Sequence, residues 1–123
     1  MTYEMDIAGL KRQLPLCPIS KDTYIGSFVI FGDVELTVHC AAELLKRAPE
    51  YDDLIAPEAK SIPLLYEMAR QSGAEKYFLA RKGVKAYMTG VFEVEVRSIT
   101  TMSVQKLVLD AADAALMKGK RML

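Results

Sequence analysis

The stretch from Asp53 to Lys82 constrains the fold more than any other, because it reads strand, loop, helix, strand in immediate succession. Asp53-Leu54-Ile55-Ala56 is an apolar run of strand length, and Pro57-Glu58-Ala59-Lys60 is a turn. Ser61 is placed to cap a helix by accepting an orphan amide N–H with its hydroxyl. Pro63 sits two positions inside, where a missing N–H costs nothing. Leu64, Leu65, Met68 and Ala69 then recur at helical spacing up to a Ser72-Gly73 stop, and Tyr77-Phe78-Leu79-Ala80 is a second strand ending in Arg81-Lys82. Two strands joined by so short a crossover helix are most easily parallel neighbours.

Ligands of open α/β sheets bind beyond the carboxyl ends of such strands. Here those ends carry Glu58-Ala59-Lys60-Ser61 and Arg81-Lys82-Gly83-Val84-Lys85. A helix N-terminus beside a lysine, with up to three more cations on the adjacent strand end, describes a phosphate or pyrophosphate site. The spacing alone is equally compatible with a capped helix followed by a solvated basic turn.

Upstream, residues 2 to 14 read as an amphipathic helix with Tyr3, Ile7, Leu10 and Leu14 on one stripe and Lys11-Arg12 near its end. Gly9 weakens it, and Pro15 and Pro18 impose an extended segment through Cys17. Ile25 to Phe31 is apolar, and its pattern makes Phe28 and Ile30 buried strand residues. Asp33 caps the next helix, with Glu35 in its first turn, a stripe of Leu36, Cys40, Leu44 and Ala48, and Lys46-Arg47 at its close. His39, the single histidine, falls mid-helix with no nucleophile and orienting carboxylate around it, so no catalytic triad can be assembled.

Downstream, Gly83 to Gly90 is rich in turn formers and carries Lys85, Tyr87 and Met88, suiting it to cover the site. Val91 to Ile99 alternates as a strand with mixed faces. Thr100 to Ser103 turns the chain, and Val104 to Leu109 pairs back, forming a projecting hairpin arm. Glu93 and Glu95 belong to a solvated face paired with Arg97 rather than to an acid–base pair. Asp110 to Met117 is a short alanine-rich helix, and Gly119-Lys120-Arg121-Met122-Leu123 opens another strand.

Composition narrows the function classes. A formal net charge of zero argues against an electrostatically driven nucleic-acid binder. No apolar run approaches the roughly 20 residues that span a bilayer. The N-terminus is acidic where a signal peptide is basic. Cys17 and Cys40 are isolated and form no metal-binding set with His39. A cytoplasmic, reduced setting follows, with no membrane and no nucleic acid as partner.

Four pieces, in order, carry a resemblance: Ile25-Gly-Ser-Phe-Val-Ile-Phe-Gly-Asp33, Ala56-Pro-Glu-Ala-Lys-Ser-Ile-Pro-Leu64, Ala80-Arg-Lys-Gly-Val-Lys-Ala-Tyr-Met88 and Val94-Glu-Val-Arg-Ser-Ile-Thr-Thr101. Together they resemble the purine phosphoribosyltransferases, in particular the adenine- and xanthine-phosphoribosyltransferase-like members of the type I fold. The resemblance implies one α/β domain, a parallel sheet flanked by helices with a projecting hairpin arm. An N-terminal hood would span about residues 1–32 and an incomplete core about 33–123. It implies transfer from phosphoribosyl pyrophosphate to a purine base, giving a nucleoside monophosphate and pyrophosphate in purine salvage, with magnesium carried by the pyrophosphate and a homodimeric assembly. By the same resemblance Glu58, Ala59, Lys60, Ser61, Arg81, Lys82 and Lys85 bind pyrophosphate. Arg81 and Lys82 would be able to act from a neighbouring subunit. Phe28 and Ile30 would lie against the purine, whose edge backbone groups would have to read, because Ile30 has no polar atom. The arm would be the loop that folds over the site.

One defining motif of that family is missing from the sequence: two acidic residues followed by a small-residue loop with Thr-Gly, which holds the ribose hydroxyls and the 5-phosphate. Asp52-Asp53 is the only adjacent acidic pair, and it precedes a strand instead of following one. The expectation is therefore the first two-thirds of such an enzyme, inactive as it stands and with no catalytic residue assigned. The alternatives are a non-catalytic purine- or pyrophosphate-binding regulatory protein and an interaction protein whose open sheet edge pairs with another chain.

Overall fold

The computed structural model describes residues 1–98 and 101–123. Its elements in chain order are β1 (Thr2–Ile7), β2 (Leu10–Pro18), β3 (Tyr24–Gly26), α1 (Val34–Arg47), β4 (Ile55–Pro57), α2 (Ile62–Ser72), β5 (Phe78–Ala80), β6 (Val91–Ser98), β7 (Thr101–Asp110) and α3 (Ala111–Met117).

The strand–helix–strand unit forms at the centre. β4 and β5 pair in parallel, with Ile55 opposite Phe78 and Pro57 opposite Ala80. α2 is the crossover between them, and Gly73 ends it at φ +74°, a left-handed turn that glycine adopts without a Cβ clash. On the far side of β4, Met122 forms a parallel bridge with Asp53. The Leu123 amide donates to the Asp53 carbonyl at 3.0 Å, and the Ile55 amide donates to the Leu123 carbonyl at 2.9 Å. Lys120 and Arg121 fasten this segment through ion pairs to Asp53 at 2.8 Å and to Asp52 at 3.1 Å. Beyond β5, an antiparallel bridge joins Arg81 to Val108 of β7. The parallel pairing expected from the sequence is therefore confined to β4, β5 and the Asp53–Met122 bridge, and the β7 side runs antiparallel.

Burial explains why this unit holds. Ala41, Leu54, Leu65, Met68 and Ala69 form one cluster, with Leu45, Tyr77 and Leu123 packed against it. Leu54 and Phe78 are 1% and 2% exposed, and each such side chain removed from water contributes roughly 1.5–3 kcal/mol.

The N-terminal segment corrects the expected helix over residues 2–14: it is an antiparallel hairpin of β1 and β2, extended by β3. The four apolar residues of the supposed helical stripe explain the ambiguity. Tyr3 faces Leu14 and Ile7 faces Leu10 across the hairpin, so a spacing that fits a helix also fits one face of two paired strands. The turn decides between them. Ala8 and Gly9 both have positive φ, 52° and 80°, as a two-residue hairpin loop of this hand requires. The Gly9 amide also donates to the Asp6 carboxylate at 3.0 Å.

Four smaller corrections follow. β3 stops at Gly26, so Phe28 and Ile30 lie in the connection before α1; Ile30 is buried but Phe28 is 43% exposed. In α1 the buried positions are Leu36, Thr37 and Ala41, because α2 packs against the 37/41/45 face; Cys40 is half-buried and Leu44 exposed. Residues 101–103, expected as a turn, already belong to β7, with Ser98 opposite Thr101; Thr100 lies outside the described residues. Glu93 pairs with Lys106 at 3.3 Å instead of Arg97, because β7 brings that lysine across the strand pair.

Several carboxylates are held below their ordinary range by partners in the fold: Asp33 by Arg12, Asp52 by Arg121, and Glu67 at about 2 by Arg70 and Gln71. Below the ordinary carboxylate range of about 4 to 4.5, the unfolded chain then binds more protons than the folded one. Stability is therefore expected to stay level from neutral pH to about 5 and to fall as pH drops towards about 2. Urea midpoints across that range check this, and a Glu67→Gln variant should show a shallower decline.

Candidate functional site

The two loops that follow β4 and β5 meet at Glu58. Parallel pairing puts both carboxyl ends on the same side, and the Glu58 amide continues the ladder by donating to the Ala80 carbonyl at 3.0 Å. The Glu58 carboxylate then accepts from the Lys82 amide at 2.7 Å and from Arg81 Nε at 3.0 Å. These two donors hold its pKa below the ordinary glutamate value, the Lys82 amide contributing most, and Lys85 adds a further attraction. Arg81 donates through Nη1 to the Tyr87 hydroxyl at 2.8 Å. One arginine thus ties together the loop after β4, its own strand end and the segment expected to cover the site.

The remaining anion-site candidates surround this centre. The Glu58–Ala59 peptide bond is cis, and Ala59 and Lys60 are exposed. Ser61 does not cap α2 as expected, since its backbone is already helical at φ −75° and ψ −15°. Its hydroxyl instead donates to the Pro57 carbonyl, closing the loop on itself. The α2 N-terminus keeps Pro63 within its first turn, where no intrahelical donor is lost. Among the described residues, the ammonium groups of Lys60, Lys82 and Lys85 make no ion pair, whereas Arg81 is paired. The cations of the cluster left without an ion pair among the described residues are therefore its lysines, and the arginine acts as an internal strut.

Phe28 and Ile30 line a second feature, a cavity of about 310 Å³ with Cys40, Leu44, Arg47 and Leu64. A neighbouring cavity of about 350 Å³ shares Leu44, Arg47 and Leu64 and reaches Ala56 and Ser61. The apolar wall and the anion loop consequently border adjoining cavities. Such space, apolar with polar groups at its rim, suits a flat aromatic ligand. Burial pushes the Cys40 thiol upward in pKa, which leaves it a poor nucleophile, and His39 is exposed on α1. Cys17 and Cys40 are both free thiols.

The structure joins Glu58 to Arg81 and to the Lys82 amide, as their positions at neighbouring strand ends suggest, and adds two features that sequence reasoning missed. Tyr87 had been assigned only to a cover, and nothing in its spacing indicated a bond to Arg81. Arg12 had been placed on a helix; it is on β2, where it donates from Nε to Asp33 Oδ2 at 2.7 Å and from Nη2 to Glu35 at 3.0 Å. No helix among the described residues is long and apolar enough to cross a membrane.

A parallel strand pair, a crossover helix and basic loops at the carboxyl ends, with a hairpin arm beyond them, define a phosphoribosyltransferase-like fold. One solved structure that shows the likeness is adenine phosphoribosyltransferase from Thermoanaerobacter pseudethanolicus ATCC 33223, with a TM-score of 0.57 and 18% identity. The match covers 78% of this chain and 56% of that one, so the chain spans little more than half the length of its structural neighbour. No protein-family model and no curated protein sequence matches it.

Proposed function

We propose that this chain carries the base and pyrophosphate halves of a purine phosphoribosyltransferase site, for a purine and phosphoribosyl pyrophosphate or pyrophosphate. The observation that carries the reading is the meeting of Glu58 with Arg81 and the Lys82 amide at the carboxyl ends of parallel β4 and β5, which sets the two basic loops side by side. In such a reaction a purine nitrogen bonds to C1 of the ribose as the C1–oxygen bond to pyrophosphate breaks. The departing pyrophosphate takes the electron pair of that bond, and the proton displaced from the purine nitrogen passes to it or to water. Lys60, Lys82 and Lys85 would neutralise its charge, and Glu58 and Arg81 would hold the two loops at a fixed separation. Magnesium would arrive on the pyrophosphate oxygens, since the Glu58 carboxylate at this sheet end is already engaged by Arg81 and the Lys82 amide. Phe28 and Ile30 would flank the base. A reduced, cytoplasmic setting and a homodimer belong to the same proposal.

Within these 123 residues no acidic pair leads into a Thr-Gly loop. The same site would also serve a second reading, a non-catalytic sensor of purine or pyrophosphate. Isothermal titration with magnesium pyrophosphate and with adenine tests the shared site. Saturable binding is expected, with Lys60→Ala weakening pyrophosphate by about tenfold, the scale of one charge-assisted hydrogen bond. No heat at millimolar ligand would overturn both readings. Release of pyrophosphate from phosphoribosyl pyrophosphate and adenine separates them: turnover selects the enzyme, and binding without turnover selects the sensor.

A further inference from the structure

We propose that Arg12 is a positioning residue for the purine wall, holding the Phe28–Ile30 segment at a fixed distance from α1 across the cavity between them. This rests on the purine reading above.

The wall segment runs through residues 27–32, and both of its ends are fastened to the same strand. At its start, Gly26 pairs with Leu16 of β2, and the Ser27 amide donates to the Pro15 carbonyl at 2.7 Å. At its end, the Asp33 amide donates to the Ile30 carbonyl at 3.2 Å, and the Asp33 carboxylate receives Arg12 of β2 through Nε at 2.7 Å and Nη2 at 3.1 Å. Gly32 turns the chain between them at φ +84°. The segment is therefore a short loop closed on β2 at both ends, once by backbone and once by a guanidinium.

The same carboxylate fixes the opposite wall. Asp33 caps α1 by accepting the Leu36 amide at 3.0 Å, and Glu35, in the first turn, also receives Arg12 at 3.0 Å. α1 supplies Cys40, Glu43, Leu44 and Arg47 to the cavity that Phe28 and Ile30 line. One planar fork thus references both walls to β2. A guanidinium can satisfy two carboxylates in fixed directions, whereas an ammonium is a point charge without that geometry. Arg12 lies on the hairpin strand opposite Met5, away from the cavity lining, so its effect on a ligand would be exerted through Asp33.

The test compares wild type, Arg12→Ala and Arg12→Lys as full chains, titrated separately with adenine and with magnesium pyrophosphate. Arg12→Ala is expected to weaken adenine by about tenfold or more while pyrophosphate stays within about twofold, with Arg12→Lys in between. General destabilisation lowers the competent fraction for both ligands alike, so equal losses would overturn the proposal. Unchanged adenine binding would overturn it too. Amide hydrogen exchange reads the latch without ligand: Arg12→Ala should speed exchange at Asp33 and Leu36 and leave Met68 and Ala69 of α2 unchanged. Wild type that binds neither ligand sinks the purine reading and this inference with it; wild type that binds both, beside an unaffected variant, sinks only the latch.

Discussion

Phe78→Ala is expected to lower unfolding stability by about 3–5 kcal/mol, the range for deleting a fully buried aromatic ring. Phe78 is 2% exposed at the start of β5, opposite Ile55 of the parallel strand β4, and its amide donates to the Leu54 carbonyl at 2.8 Å. β4 pairs beside it and the Lys76 ammonium lies over its ring, 5.0 Å from the centroid, so the site of the ring is enclosed by more than one neighbour. For a domain with total stability of about 5–15 kcal/mol, this is a large share. Urea titration at neutral pH measures it. Phe92→Ala is the control, because that ring is 63% exposed on the arm and its loss should cost well under about 1 kcal/mol. A Phe78 effect no larger than the Phe92 effect would contradict the packing described above.

Replacing Val108 with proline is expected to have the second largest effect, and it acts on the backbone. Val108 is fully buried, and its amide and carbonyl exchange bonds of 2.7 Å with the carbonyl and amide of Arg81. Proline removes the donor and leaves the Arg81 carbonyl unsatisfied, a cost of about 1–3 kcal/mol, to which ring crowding inside a central strand adds. The arm formed by β6 and β7 loses half of the bridge that joins it to β5. Amide exchange at Arg81 and Lys82 should quicken by more than tenfold. Pyrophosphate affinity should fall as well, since the loop that carries Lys82 and Lys85 is no longer held against Glu58. Unchanged exchange at Arg81 would show that the arm is not anchored there.

The parts of this molecule that were legible in the sequence are those where local chemistry and tertiary pairing agree. From Asp53 to Lys82 the apolar runs, Pro63 and Gly73 all favour the same arrangement, and that unit formed with strand ends shifted by two residues or fewer. The cap on α1 was legible for the same reason, since Asp33 has one amide to accept and does so. The N-terminal hairpin was not, because Tyr3, Ile7, Leu10 and Leu14 satisfy both periods and only the Ala8-Gly9 turn separates them. Ser61 misled for a different reason: its backbone joined the helix, which turned its hydroxyl back to the Pro57 carbonyl. In the candidate site, sequence could set the Glu58 loop beside the Arg81–Lys82 strand end but could not show that the arginine is already spoken for. That depended on Glu58 crossing to the next strand end, a partnership over many residues with no local signature.

Arg81 ends up as a hinge pin. Its main chain is joined to the arm at Val108, while its side chain grips Glu58 and Tyr87. Under the proposed anion binding, the arm and the basic loops would share that one residue as their joint. Any ligand that prefers the gripped state must also quieten the arm, and by thermodynamic reciprocity any restraint on the arm must tighten that ligand by the same factor. A hairpin that contributes no charged group to the proposed cluster would then set how tightly an anion is held there.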